Sequence, residues 1–157
     1  MFARVLITSF SLIFVTLASS AELAIVHVYT GWRDAASFKR ISEYFDGKEN
    51  TGGETVLRTQ PDQRAGFYFL VRVTNPAASL TAQARLEVIG STTAKPVTHT
   101  FTVPLKSGAT VLQLGLTGSD WTDAKANPVA WKLDLLDSGG QVLATEKSYL
   151  WEKPAQP

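Results

Sequence analysis

His27 and His99 are the two imidazoles in this 157-residue chain, and it has no cysteine. Those numbers restrict the chemistry available. A nucleophile needs a base within hydrogen-bond reach and usually a third group to orient that base. His27 sits between Val26 and Val28 and His99 opens another apolar-alternating run, so neither lies in a glycine-rich elbow. No Gly-x-Ser-x-Gly pattern occurs, and a hydrolytic triad is disfavoured. Two isolated histidines cannot close a zinc site. The loops Asp46-Gly47-Lys48-Glu49-Asn50 and Ser119-Asp120-Trp121-Thr122-Asp123 hold the clearest clusters of oxygen ligands. Each is too sparse for a calcium loop of the EF-hand kind, and turn chemistry accounts for both. Gly52-Gly53 and Gly139-Gly140 are not followed by helical stretches, so neither forms a phosphate cradle. The expectation is no catalytic residue, no metal and no cofactor. A hydrolase using carboxylates of the Asp46 and Asp120 loops is the enzymatic alternative.

Aromatic side chains are the better candidates. Trp32 and Trp121 stand outside strand alternation, and Tyr149 and Trp151 can turn away from a core depending on register. Exposed Trp and Tyr offer stacking faces for sugar rings or anchors for a protein partner. Trp32, Trp121, Tyr149 and Trp151 are therefore the candidate ligand-binding residues. The competing reading makes Trp32 and Trp121 plugs over the ends of a core, since large apolar side chains seldom stay exposed without cause. Arg58, Arg64, Arg72 and Arg85 form a second set, with Glu87 able to pair across to Arg72. A solvated sheet face with cross-strand charge pairs explains them without a ligand.

What positions these residues is a succession of short strands. Thr55 to Thr59, Gly66 to Asn75, Ala82 to Ile89, His99 to Val103 and Thr110 to Leu116 alternate or run apolar between Gly, Pro, Asn and Asp. Trp131, Leu133 and Leu135 alternate with Lys132 and Asp134, and Asp137-Ser138-Gly139-Gly140 turns the chain into a long return from Gln141 to Trp151. That return slips out of phase, which predicts a bulge near Ala144 to Lys147. Val26 to Thr30 supplies a first strand. Seven or eight strands without intervening helices predict an all-β, antiparallel sandwich. Residues 34–45 are the exception: Asp34 can cap a helix carrying Phe38, Ile41 and Phe45 on one stripe, with Gly47 as its terminator. Such a helix would lie over an open end or edge; a bent edge strand is its rival.

The Trp131 to Trp151 hairpin and the Phe67 to Asn75 strand resemble those of immunoglobulin-like or fibronectin-III-like sandwiches. The resemblance is one of architecture, because the cysteine pair and tyrosine corner of antibody domains are missing.

Met1 to Arg4 is a basic start, Val5 to Ala18 an apolar run, and Ser19-Ser20-Ala21 a set of small residues. This predicts a secretory signal over 1–21 cut after Ala21, or after Ser20, rather than a membrane anchor, which needs about 20 apolar residues. A single sandwich domain over 22–152 and a disordered tail over 153–157 complete the expected organisation. Arg4 is the one charge before residue 22, so the remainder balances at 14 basic and 14 acidic residues. A neutral surface excludes a nucleic-acid footprint. An exported domain without disulfides points to the bacterial periplasm or the extracellular space. The functional expectation is a non-catalytic domain for binding or scaffolding, its partner another exported protein. A carbohydrate-binding module is the alternative.

Overall fold

The computed structural model describes residues 22–91 and 94–152. The expected signal over 1–21 and tail over 153–157 lie outside the described residues. Eight strands run in chain order: β1 (Ala24–Arg33), β2 (Thr55–Arg58), β3 (Gly66–Asn75), β4 (Leu80–Ile89), β5 (Val97–Leu105), β6 (Gly108–Thr117), β7 (Ala130–Leu136) and β8 (Val142–Lys147). They form two sheets of four, ordered β1-β3-β6-β2 and β5-β4-β7-β8. We call these sheet A and sheet B. The chain crosses from A to B between β3 and β4, back between β5 and β6, and over again between β6 and β7. The result is a two-layer β-sandwich, mainly antiparallel.

Period-two alternation builds its interior, because successive side chains point to opposite faces of a strand. Phe67, Phe69, Val71 and Val73 of β3 and Leu112, Leu114 and Leu116 of β6 face inward from sheet A. Ala84, Leu86 and Val88 of β4, Phe101 and Val103 of β5, and Leu133 and Leu135 of β7 meet them from sheet B. Complete burial of each large apolar side chain is worth about 1.5–3 kcal/mol, so this interior carries the fold without disulfides. Trp131 packs against it from the β7 end, its ring edge-on to Phe69 at 5.7 Å.

Four features differ from the sequence reading. First, all pairings are antiparallel except β2 with β6, which is parallel. Thr59 and Gln60 tie that edge, through Thr59 N–H to the Gly115 carbonyl at 2.9 Å and Gln60 N–H to Thr117 Oγ1 at 3.0 Å.

Second, the helix expected over 34–45 is reduced to a 3-10 turn, Ala36–Phe38, and one α-helical turn, α1 (Glu43–Asp46). Both ends of the expected segment keep their signals. Asp34 Oδ1 accepts the Ser37 N–H at 2.7 Å, and Gly47 has φ of 67° after α1. Between them the stripe fails, because Phe38 is buried whereas Ile41 and Phe45 are exposed. A short helix needs tertiary packing of its whole apolar face, and here one residue alone is anchored. The segment also lies over the outer face of sheet A, through Phe38 and Tyr68, not over an edge.

Third, β8 stops at Lys147, and Tyr149–Glu152 form a 3-10 turn in place of further strand. The bulge comes earlier than expected: Leu135 pairs with Ala144 and Leu136 with Val142, leaving Leu143 as the extra residue. Fourth, Arg72 and Glu87 belong to different sheets and do not pair. Arg85 instead joins Asp134.

Candidate functional site

The four aromatic candidates gather at one end of the sandwich. Trp32 is next to last in β1 and opposes Phe67, the second residue of β3. Trp121 follows the end of β6, and its ring meets that of Phe67 at 5.0 Å. The turn carrying Tyr149 and Trp151 follows the end of β8, where Lys147 opposes Lys132 of β7. Trp32 and Trp121 are half-buried and pack against the core. Trp121 is held further by its indole N–H, which donates to the Asp123 carbonyl at 3.1 Å. Trp151 is half-buried and Tyr149 is 75% exposed.

Beside Trp121 a cleft of about 380 Å³ opens between the sheets. Val88 of β4 and Leu116 of β6 contribute its apolar lining, and His99 of β5, Asp120 and Asp123 its polar lining. His99 falls on the inward register of β5, opposite Leu86, and is half-buried. Burial pushes its imidazole below the ordinary histidine value, and the Asp120 charge pulls the other way. His27 is far from this end, exposed on β1 with its ring 4.0 Å from that of Tyr29. Among the described residues no group of three or more His, Cys, Asp or Glu could hold a metal ion.

A second assembly, which the sequence reading missed, lies on the outer face of sheet A. There the connector of residues 34–54 folds back over β3 and β6, toward Arg58 of β2 and Arg64 beyond it. The Phe38 ring sits 4.8 Å from that of Tyr68, with the Arg33 and Arg58 guanidinium carbons 4.2 Å and 4.9 Å from its centroid. Arg58 donates twice to Glu49, at 2.6 and 2.8 Å, and its Nε donates to the Tyr68 hydroxyl at 2.8 Å. Tyr68 in turn donates to the Arg64 carbonyl at 2.7 Å, while Arg64 pairs with Glu43 at 2.6 Å. Arg33 donates to Gln113 of β6, and Gln113 donates to Glu54, closing the far side. The hydrogen bond from Arg58 holds the Glu49 carboxyl below its ordinary value against a desolvation cost. Burial pushes the Tyr68 phenol up, since the charged form would lose its hydration.

Gly115 makes room for this cover. A Cβ there would stand 2.5 Å from the Tyr68 ring. One sequence signal for the assembly existed. Gly66-Phe67-Tyr68-Phe69-Leu70-Val71 is apolar on both registers, as expected of a strand covered on both faces.

Held by this network, the connector displays three large apolar side chains. Ile41 and Tyr44 are each 79% exposed and Phe45 is 87% exposed. They lie within five residues, in and just before α1.

No family model matches the sequence, and no curated protein matches it. Among solved structures, the chain is similar to an immunoglobulin-like protein from Pseudomonas aeruginosa. Identity is 18%, the TM-score is 0.31, and the match covers 83% of this chain and 97% of that one.

Proposed function

We propose that this is an exported, non-catalytic sandwich domain that works by binding another protein through Ile41, Tyr44 and Phe45. The observation that carries this reading is the contrast within one segment. The connector is fixed to sheet A by Phe38, Arg58 and Arg64, yet it turns three large apolar side chains outward. Exposed apolar groups on a fixed platform suit protein docking, because their burial gains free energy while little backbone order is lost on binding. The partner presents an apolar patch of its own, bordered by polar groups that suit Lys39, Arg40 and Asp46 around this one.

Glycan stacking by Trp32, Trp121, Tyr149 and Trp151 is the lesser reading, since Trp32 and Trp121 give much of their surface to the core. Export rests on the leader-like residues 1–21. Intact mass of the protein from its native compartment checks it, the expected value lacking the first 21 residues.

Docking is tested with the triple variant Ile41→Ser, Tyr44→Ser, Phe45→Ser. A protein recovered in stoichiometric amount with the wild type should be lost with the variant, while the melting temperature stays near that of the wild type. Equal recovery by both forms would rule this surface out. Concentration-dependent self-association abolished by the same variant would identify a second copy as the occupant.

A further inference from the structure

We propose that the cleft between Trp121 and His99 binds an organic cation, a primary ammonium or a guanidinium group carried on a short apolar stem. This site is separate from the Ile41, Tyr44 and Phe45 surface, and its success or failure leaves that reading untouched.

The cavity comes first. At about 380 Å³ it holds a small ligand or one long side chain. Its inner lining comes from Val88, Leu116 and the Trp121 ring, all parts of the core or packed on it. Trp121 is fixed by Phe67 and by its bond to the Asp123 carbonyl. A tryptophan ring is the best aromatic partner for a cation, through its negative face. An apolar stem of three or four carbons suits the rest of this lining, as long basic side chains bury their methylenes and keep the charge at the rim.

Charge then selects the ligand. The described lining contains Asp120 and Asp123 and no Lys or Arg. Asp123 Oδ1 accepts the Lys125 N–H at 2.8 Å, which fixes this carboxylate in its turn. His99, kept below its ordinary value by burial, is neutral at pH 7 and does not offset the two carboxylates. An anion would meet uncompensated repulsion here. Both carboxylates are exposed at the rim of the cleft, where an ammonium or guanidinium gains charge-assisted contacts that a neutral polyol does not.

The test is a titration of the mature protein at pH 7 with n-butylammonium, n-butylguanidinium, n-butanol and methyl glucoside. It is followed by the indole N–H signal assigned through Trp121→Phe. Both cations should shift that signal with millimolar affinity, and n-butanol should bind at least about tenfold more weakly, the difference being the charge-assisted contacts. Asp120→Asn should weaken both cations about tenfold, leaving the melting temperature and the other indole signals unchanged. Asp123→Asn keeps an oxygen for the Lys125 N–H and should act in the same direction. Butanol or methyl glucoside binding as well as the cations would overturn the proposal. So would an Asp120→Asn protein that binds them undiminished, or no shift up to 50 mM cation. Two further arms separate the sources: Nα-acetyl-lysine methylamide binding more tightly than spermidine assigns the cation to a protein side chain, and the reverse order to a free amine.

Discussion

The two outer faces of the sandwich are finished differently. On sheet B the face stays wet, and its buried charge is satisfied from its own sheet. Asp134 is 1% exposed on β7, and it accepts from Arg85 of β4 at 2.7 Å, from Thr145 of β8 at 2.7 Å and from Lys132 at 2.9 Å. On sheet A a segment of irregular backbone has been laid over the strands, so Tyr68 is buried as deeply as the residues facing the core. A charge cluster on strands needs only register, because cross-strand neighbours are brought together by pairing. A cover needs an anchor that gains free energy on burial, and Phe38 supplies it. The arginines around Phe38 both stack on the anchor and bridge to Glu49 and Gln113, so neither guanidinium group is left without a polar partner.

The largest expected effect breaks the covered face. Phe38→Ala should cost about 3–5 kcal/mol in urea unfolding, the range for removing a buried phenylalanine. Phe38→Leu should recover most of that loss, because burial outweighs the stacking of guanidinium on the ring. Gly115→Ala attacks the same face from beneath and should cost about 1–3 kcal/mol, since the ring of Tyr68 must move. On the wet face, Asp134→Ala should cost about 1–3 kcal/mol, because three donors lose their acceptor. A loss there as large as that of Phe38→Ala would erase the distinction between the two faces.

Acid sharpens the comparison. Hydrogen bonding from Arg58 lowers the Glu49 carboxyl from an ordinary value of 4.5. Burial opposes the charge on Asp134, but bonds from Arg85, Thr145 and Lys132 outweigh it and leave that carboxyl below 3.8. A depressed carboxyl stabilises the fold above its unfolded value and loses that contribution as pH falls through its folded value. The covered face should therefore weaken below about pH 4.5 and the wet face only below about pH 3.8, and Glu49→Gln should flatten the upper part of that decline. His99 acts earlier. Its value is lowered by burial from 6.5, so the unfolded chain takes the proton first and stability falls as pH drops below 6.5. His99→Gln should remove that first decline. The smallest effect belongs to the displayed side chains: the Ile41, Tyr44 and Phe45 serine variant should shift stability by no more than about 0.5 kcal/mol, as is usual for surface substitutions.

Much of the sandwich was legible because it is written in alternation and turn residues. Phe67 to Val73 and Trp131 to Leu135 announce their inward faces, and the Asp137 to Gly140 turn announces its hairpin. The sheet partners were less legible. Arg72 and Glu87 look complementary in sequence, but the crossing after β3 sends them to opposite faces. The helix over 34–45 was read from its end signals and its spacing, and neither reveals that Phe38 is buried while Ile41 and Phe45 are not. His99 was legible as a strand residue, but the register that carries it inward beside Asp120 was not. Of the aromatic candidates, Trp121 could be named from sequence. Its cleft depends on strand ends distant in the chain.

The account turns on the connector being part of the cooperative fold. The chain has no cysteine, so Tyr44→Cys labelled with a thiol-reactive fluorophore reports on the connector alone, while tryptophan fluorescence reports on the core. In urea the two signals should trace one coincident transition, as a single cooperative unit requires. A label transition complete at urea concentrations where the tryptophan signal is still native would show that the connector is not fixed to sheet A, and would contradict the account.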